Sequence, residues 1–308
     1  MHPFTFPLLL VAAALVHGHP AGNTPAAQFW EQALPGTPMP NAIADLVQKG
    51  IDHSPLLEHH SAALPSSISA CSFFDSTCDL QKVAETGIFF HESQLHPGST
   101  MTLSFPGDAE SAAILPHDVV ENVPFGNLHD ALATFNIPAD SAEAAQLKNT
   151  LTGCQAPPIA GEVKSCTTSL EATVQSAMSM LGATGGGEVW AAASEIPRAG
   201  LPRQPYSVRA VTPILQAGYA SCHMVPFPYA VYRCHHLAQV GYRSYNVSIS
   251  GLHEGSNFAM LAVCHLDFSH WNPAQPAFKV LQTRPGGTPV CHFVPYGNLA
   301  FVKKATRA

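Results

Sequence analysis

Four Cys-His dipeptides, Cys222-His223, Cys234-His235, Cys264-His265 and Cys291-His292, lie between residues 222 and 292, with 10, 28 and 25 residues between successive pairs. Even with 17 histidines in the chain, composition does not account for the repetition. Neighbouring side chains on a β-strand point to opposite faces. If each dipeptide lies on a strand, the four cysteines face one layer and close two disulfides, while the four histidines face another and can converge on a metal. A structural zinc site with mixed Cys and His ligands is the competing arrangement. It is disfavoured because adjacent strand residues do not easily reach one ion, and zinc ligands are usually spaced by about two to four residues. A third arrangement leaves the histidines as hydrogen-bonded core residues. An imidazole-only set suits copper, zinc or nickel rather than magnesium or calcium.

The rest of the chain sets the compartment. Phe4 to Val16 is an apolar run followed by compact residues at Val16-His17-Gly18, which predicts a signal peptide over 1–18. The run is shorter than the roughly 20 residues that span a bilayer, and no later segment reaches that length, so the mature chain is expected to be soluble and extracellular. Eight cysteines, at 71, 78, 154, 166, 222, 234, 264 and 291, form an even set that suits an oxidising compartment. Proximity in sequence suggests Cys71 with Cys78 and Cys154 with Cys166 as small loops. Asn246-Val247-Ser248 is a glycosylation sequon that export makes usable. With 14 basic against 21 acidic residues and no basic cluster beyond Lys303-Lys304, neither a nucleic acid nor a membrane surface is an expected partner.

Patterning predicts an α+β fold with N-terminal helices and a mostly antiparallel, β-rich C-terminal half framed by disulfides. One helix is expected from Pro40-Asn41 to a stop at Gly50. A second starts at Asp140-Ser141 and runs to about Leu151. A third opens on a Thr168…Glu171 capping box and ends at Gly182. Strands are expected at 188–193, 206–215, 228–234, 245–250, 258–266, 278–283 and 291–294. Ser61 to Ala70 resembles a linker, and Gly185-Gly186-Gly187 reads as a turn. No internal repeat is present.

The arrangement CH-x10-CH-x28-CH-x25-CH resembles the signature of the plant BURP domain. The similarity extends upstream through Thr86-Gly87-Ile88-Phe89-Phe90, Leu95-His96-Pro97-Gly98, Met101, and the block from Cys154 to Glu171 that includes Pro157-Pro158, Gly161-Glu162, Lys164 and Cys166. This implies residues 1–18 as signal peptide, 19–85 as a Pro/Ala/Ser-rich segment and linker, 86–303 as a single BURP domain and 304–308 as a tail. Phe29-Trp30 and Leu34 to Pro40 resemble the short segment that follows the signal in many members. Phe301 stands where the family usually has Trp, and the 28-residue interval is slightly longer than its commonest spacing.

The resemblance implies His223, His235, His265 and His292 as copper ligands and the paired cysteines as a disulfide frame. Some members are copper-dependent cyclases that crosslink Tyr or Trp of a core peptide. Others, such as the β subunit of a cell-wall polygalacturonase, have no demonstrated chemistry. Residues 20 to 85 contain no Tyr and one Trp, Trp30, which argues against self-cyclisation. The expectation is an apoplast or cell-wall protein acting in development or stress without assigned catalysis. A cyclase acting on a separate precursor peptide and a polygalacturonase β-subunit-like protein stand as alternatives. The expected partner is a peptide substrate or a wall component, and the oligomeric state is left open. Tyr229 and Tyr232 are candidates for proximity to the metal, with core packing the favoured role. His59-His60 and His19 are minor metal candidates.

Overall fold

The computed structural model describes residues 24–52, 79–237, 241–253 and 255–304. The expected signal peptide, His19, His59-His60, the stretch from Ser61 to Ala70, Cys71 and Cys78 lie outside them.

The N-terminal helices belong to the core. Helix α1 (Pro25–Ala33), which the sequence reading missed, has Pro25 in its first turn and Thr24 accepting the Ala27 N–H, a standard way to satisfy a free helix-end donor. Its Trp30 is buried and donates Nε1–H to the Thr37 carbonyl at 2.9 Å. Helix α2 (Asn41–Asp52) buries Ile43, Leu46 and Val47 as expected, but runs on past Gly50. That glycine is a close-approach residue rather than a stop. A Cβ there would sit 1.8 Å from the Ile114 carbonyl oxygen, and the Ile114 N–H donates to the Leu46 carbonyl.

Six more α-helices follow among the described residues: α3 (Leu80–Thr86), α4 (His117–Val120), α5 (Leu128–Thr134), α6 (Ala142–Gln155), α7 (Leu170–Met180) and α8 (Pro276–Val280). Ser141 caps α6 as expected, and the helix extends beyond Leu151 far enough to carry Cys154. The cap of α7 is Ser169, accepting from Ala172 N–H, and not Thr168. Strand β3 (Glu162–Thr167) runs to the residue before, so the chain must turn at Thr168 before a helix can begin. The expected strand at 278–283 is also corrected. Pro276 at the first helical turn and the Gln275 side chain accepting from Ala277 N–H start α8 there.

Among the described residues eleven strands, all paired antiparallel, form two sheets. The first has the order β1-β10-β9-β8-β5-β2, and its members are β1 (Phe89–Phe90), β2 (Thr100–Phe105), β5 (Leu201–Ile214), β8 (Tyr242–Gly251), β9 (Asn257–His265) and β10 (Val290–Phe293). The second has the order β3-β7-β6-β11-β4, with β4 (Val189–Ala192), β6 (Gly218–Val225), β7 (Val231–Leu237) and β11 (Leu299–Lys303) beside β3. Strand β5 is interior yet contains three prolines, which lack a ladder donor. Its register explains how. Pro202 and Pro205 precede Tyr206, where pairing with β8 begins, and Pro213 lies beyond Ser207, where pairing with β2 ends. Each proline thus needs a partner strand on one side only.

One apolar cluster joins the two sheets through alternate residues: Tyr219 of β6, Ala300 and Val302 of β11, and Leu261 and Val263 of β9. The other faces of β6 and β9, with Ala220, Cys222, Met224, Ala262 and Cys264, pack into the large core that includes Trp30, Leu46 and Val174. A satellite core brings Leu115, Phe135 and Leu147 against Phe227, Tyr229 and Val231.

Candidate metal centre

The four Cys-His pairs sit on β6, β7, β9 and β10. Cys222 is directly opposite Cys234, and Cys264 directly opposite Cys291. Both cross-strand pairs are disulfides with Cα atoms 3.9 Å apart. A third disulfide, Cys154–Cys166, ties α6 to β3. With the cysteines fixed opposite each other, His223 is opposite Arg233, and His235 is opposite Ser221. The two histidines are therefore diagonal neighbours on the other face of the sheet, within reach for aromatic rings. The register of β9 and β10 places His265 and His292 in the same relation.

Each disulfide thus lies behind one diagonal histidine pair, and the two pairs meet where the sheets face each other. Ring centroids are 5.3 Å apart for His223 and His235, 5.3 Å for His265 and His292, and 5.9 Å for His223 and His292, the contact between sheets. All four side chains are buried. Burial is the leading cause that lowers every one of their pKa values. His235 falls to about 3 and His292 to about 4, with His223 and His265 well below the ordinary value. The rings are therefore neutral near pH 7, the form that ligates a metal.

Hydrogen bonding fits the same use. His292 Nδ1 lies 3.0 Å from the Phe293 carbonyl, so it carries the proton and leaves Nε2 with its lone pair. That Nε2 is 3.2 Å from His265 Nε2. Both ring nitrogens of His235 and Nδ1 of His265 are buried without a hydrogen bond, a cost of about 1–3 kcal/mol per group that a bound cation relieves at an acceptor. Among the described residues no group of three or more His, Cys, Asp or Glu already stands as a metal-binding set. The chemistry of the donors, four neutral imidazoles in a dry seam, fits copper or zinc.

Residues without a fixed spacing complete the surroundings. Trp271 meets the His265 ring at 4.7 Å and Tyr242 meets it at 5.2 Å. A cavity of about 240 Å³ opens beside His235, lined among others by Trp271, Arg233, Glu162 and Gln275. Arg233 was detectable as a strand residue two before His235. Glu162 fell within the block already quoted, and nothing in the spacing marked Trp271 or Tyr242. Tyr229 and Tyr232 are elsewhere. Tyr229 packs on Phe135 and Phe227, and Tyr232 shares the cysteine face and donates to the Gly297 carbonyl at 2.8 Å. Asn246 is exposed on β8, and Phe301 is fully buried on β11.

Comparison with known proteins gives one family. The BURP domain model matches residues 88–303. Protein RAFTIN 1A of Triticum aestivum is 42% identical over 232 residues, which cover 74% of this chain and 58% of that protein. BURP domain-containing protein 13 of Oryza sativa subsp. japonica is 41% identical over 245 residues, 78% of this chain and 58% of that one. The chain thus spans under two thirds of these two relatives. BURP domain-containing protein 2 of the same rice is 35% identical over 308 residues, 96% of both chains.

Proposed function

The chain belongs to the BURP domain family, and on that premise we propose that it is an exported plant wall protein whose His223, His235, His265 and His292 hold one copper ion. The observation that carries this reading is the meeting of the two diagonal histidine pairs, buried and neutral, across the seam between the sheets. Export is supported by the apolar leader and by three disulfides. No described helix is long and apolar enough to cross a membrane. The exposed Asn246 is the glycan acceptor in this reading. Copper would supply one-electron chemistry with dioxygen, while the chain supplies the neutral ligands, the dry seam and the disulfide frame.

Metal analysis of secreted protein tests the reading. One copper per chain is expected, lost in His265→Ala. A folded protein that takes up none on reconstitution overturns it. The cavity beside His235 and the Trp271 ring favour a second reading, a cyclase acting on a separate Tyr- or Trp-containing peptide. Incubation with copper, dioxygen and such a peptide then gives a product lighter by two hydrogens per crosslink. Unchanged peptide mass with fully loaded protein rejects catalysis and leaves the wall-protein reading.

A further inference from the structure

We propose that Glu162 is a positioning residue for the four-histidine site, its carboxylate holding Nδ1–H of His235 so that the Nε2 lone pair is left for the ion. The proposal rests on the copper reading above. Glu162 opens β3, whose register with β7 sets Lys164 opposite His235 and Glu162 opposite Leu237. Glu162, Lys164 and His235 therefore share one face of the sheet, with Glu162 diagonal to the histidine.

The carboxylate is anchored and nearly dry. Its Oε2 accepts the Ile159 N–H at 3.1 Å, and its side chain is 6% exposed. The other oxygen faces two groups at once, His235 Nδ1 at 3.5 Å and the Arg233 guanidinium at 3.7 Å. A buried carboxylate is costly unless paired, and Arg233 supplies the charge. At 3.7 Å the guanidinium neutralises Oε1 without a close hydrogen bond, so the same oxygen has a lone pair with which to accept from the ring. Lys164 does not compete, because its ammonium donates to the Gly153 carbonyl at 2.8 Å. Closing the gap to His235 by about 0.5 Å makes an ordinary hydrogen bond. His292 already has the counterpart contact, with Nδ1 on the Phe293 carbonyl. A carboxylate behind a ligating histidine fixes its tautomer and strengthens it as a donor, and losing such a partner weakens metal binding by roughly 10–100-fold.

The test titrates the purified full-length protein with Cu(II) against a competing chelator and records the electron paramagnetic resonance spectrum. Glu162→Ala is expected to weaken copper binding by about 10–100-fold and to alter the nitrogen hyperfine pattern. Glu162→Gln, which keeps an acceptor oxygen, is expected to restore most of both. Should Glu162→Ala fail to fold, Glu162→Asp decides, since it retracts the carboxylate by one methylene. Binding weaker than in Glu162→Gln sustains the role, and binding equal to wild type overturns it. Wild-type affinity and spectrum in Glu162→Ala overturn the positioning role alone. A wild-type protein that takes up no copper overturns the copper reading and this inference together.

Discussion

Phe301 pairs across β11 with Ala191 on one side and Ala220 on the other, and its ring is fully buried. The two small neighbours leave space for one ring on that face. Phe301→Ala is expected to lower the unfolding free energy by about 3–5 kcal/mol, read as a shift in the urea midpoint. Phe301→Trp, which brings in the usual family residue, overfills the same space and costs about 1–3 kcal/mol. A second consequence at this scale concerns alkali. Burial raises the pKa of Tyr229, Tyr232 and Tyr296, with a hydrogen bond to Asp45 adding to the last. A folded pKa above the unfolded value near 10 means the stabilisation is complete below about pH 10 and is lost as pH rises further. Denaturant midpoints should therefore hold to about pH 9.5 and then fall, with the tyrosinate absorbance of these three side chains appearing on unfolding. The histidines and cysteines of the site were legible because each dipeptide marks itself. Glu162, Trp271 and Tyr242 were not, since they come from two strands and a loop far apart in sequence and meet only through tertiary packing.

At the level of elements, the disulfides act as rungs between paired strands. Cys222 and Cys234 are 12 residues apart in sequence, and Cys264 and Cys291 are 27 apart. Loop-closure entropy assigns each about 3 kcal/mol, the second slightly more. The double variant Cys222→Ala/Cys234→Ala is expected to lose about that much stability by urea titration. It is also expected to weaken copper binding more than Cys154→Ala/Cys166→Ala does, because only the former rung lies behind a histidine pair. Helix α2 and Ser141 were readable from periodicity and capping. Strand β6 was not, although it carries Cys222-His223, because Gly218 and small residues at Ala220 and Ser221 dilute its apolar alternation. The prolines of β5 mask its first half, and the apolar run of α8 has a strand-like composition whose helical start is set by the Gln275 cap and Pro276.

For the whole molecule, the core does not stop where the family match begins. Trp30, Leu34, Ile43, Leu46 and Val47 belong to the same cluster as Cys222, Cys264 and Phe301, and Tyr296 donates to Asp45 of α2 at 2.9 Å. A chain trimmed to residues 88–303 is expected to lose its cooperative unfolding transition and to bind hydrophobic dye. A native-like near-UV spectrum in that fragment would contradict this. The α+β class and the antiparallel C-terminal half followed from local pattern. The incorporation of α1 and α2 did not, since residues 22–70 are Pro- and Ala-rich and their few apolar side chains gain meaning only against a sheet face far along the chain.

Each disulfide and the histidine pair behind it are joined through single peptide bonds, which has a consequence for the order of assembly. Before Cys222 meets Cys234, nothing covalent holds His223 at its diagonal from His235, and the same is true of the second pair. On the copper reading, the paired strands set those diagonals and the closed cystines tighten them, so uptake of the ion is expected to be stronger after oxidation than before it. A newly made chain in a reducing compartment would then take up the ion more weakly than the exported one, so that affinity for the ion rises as the cystines close.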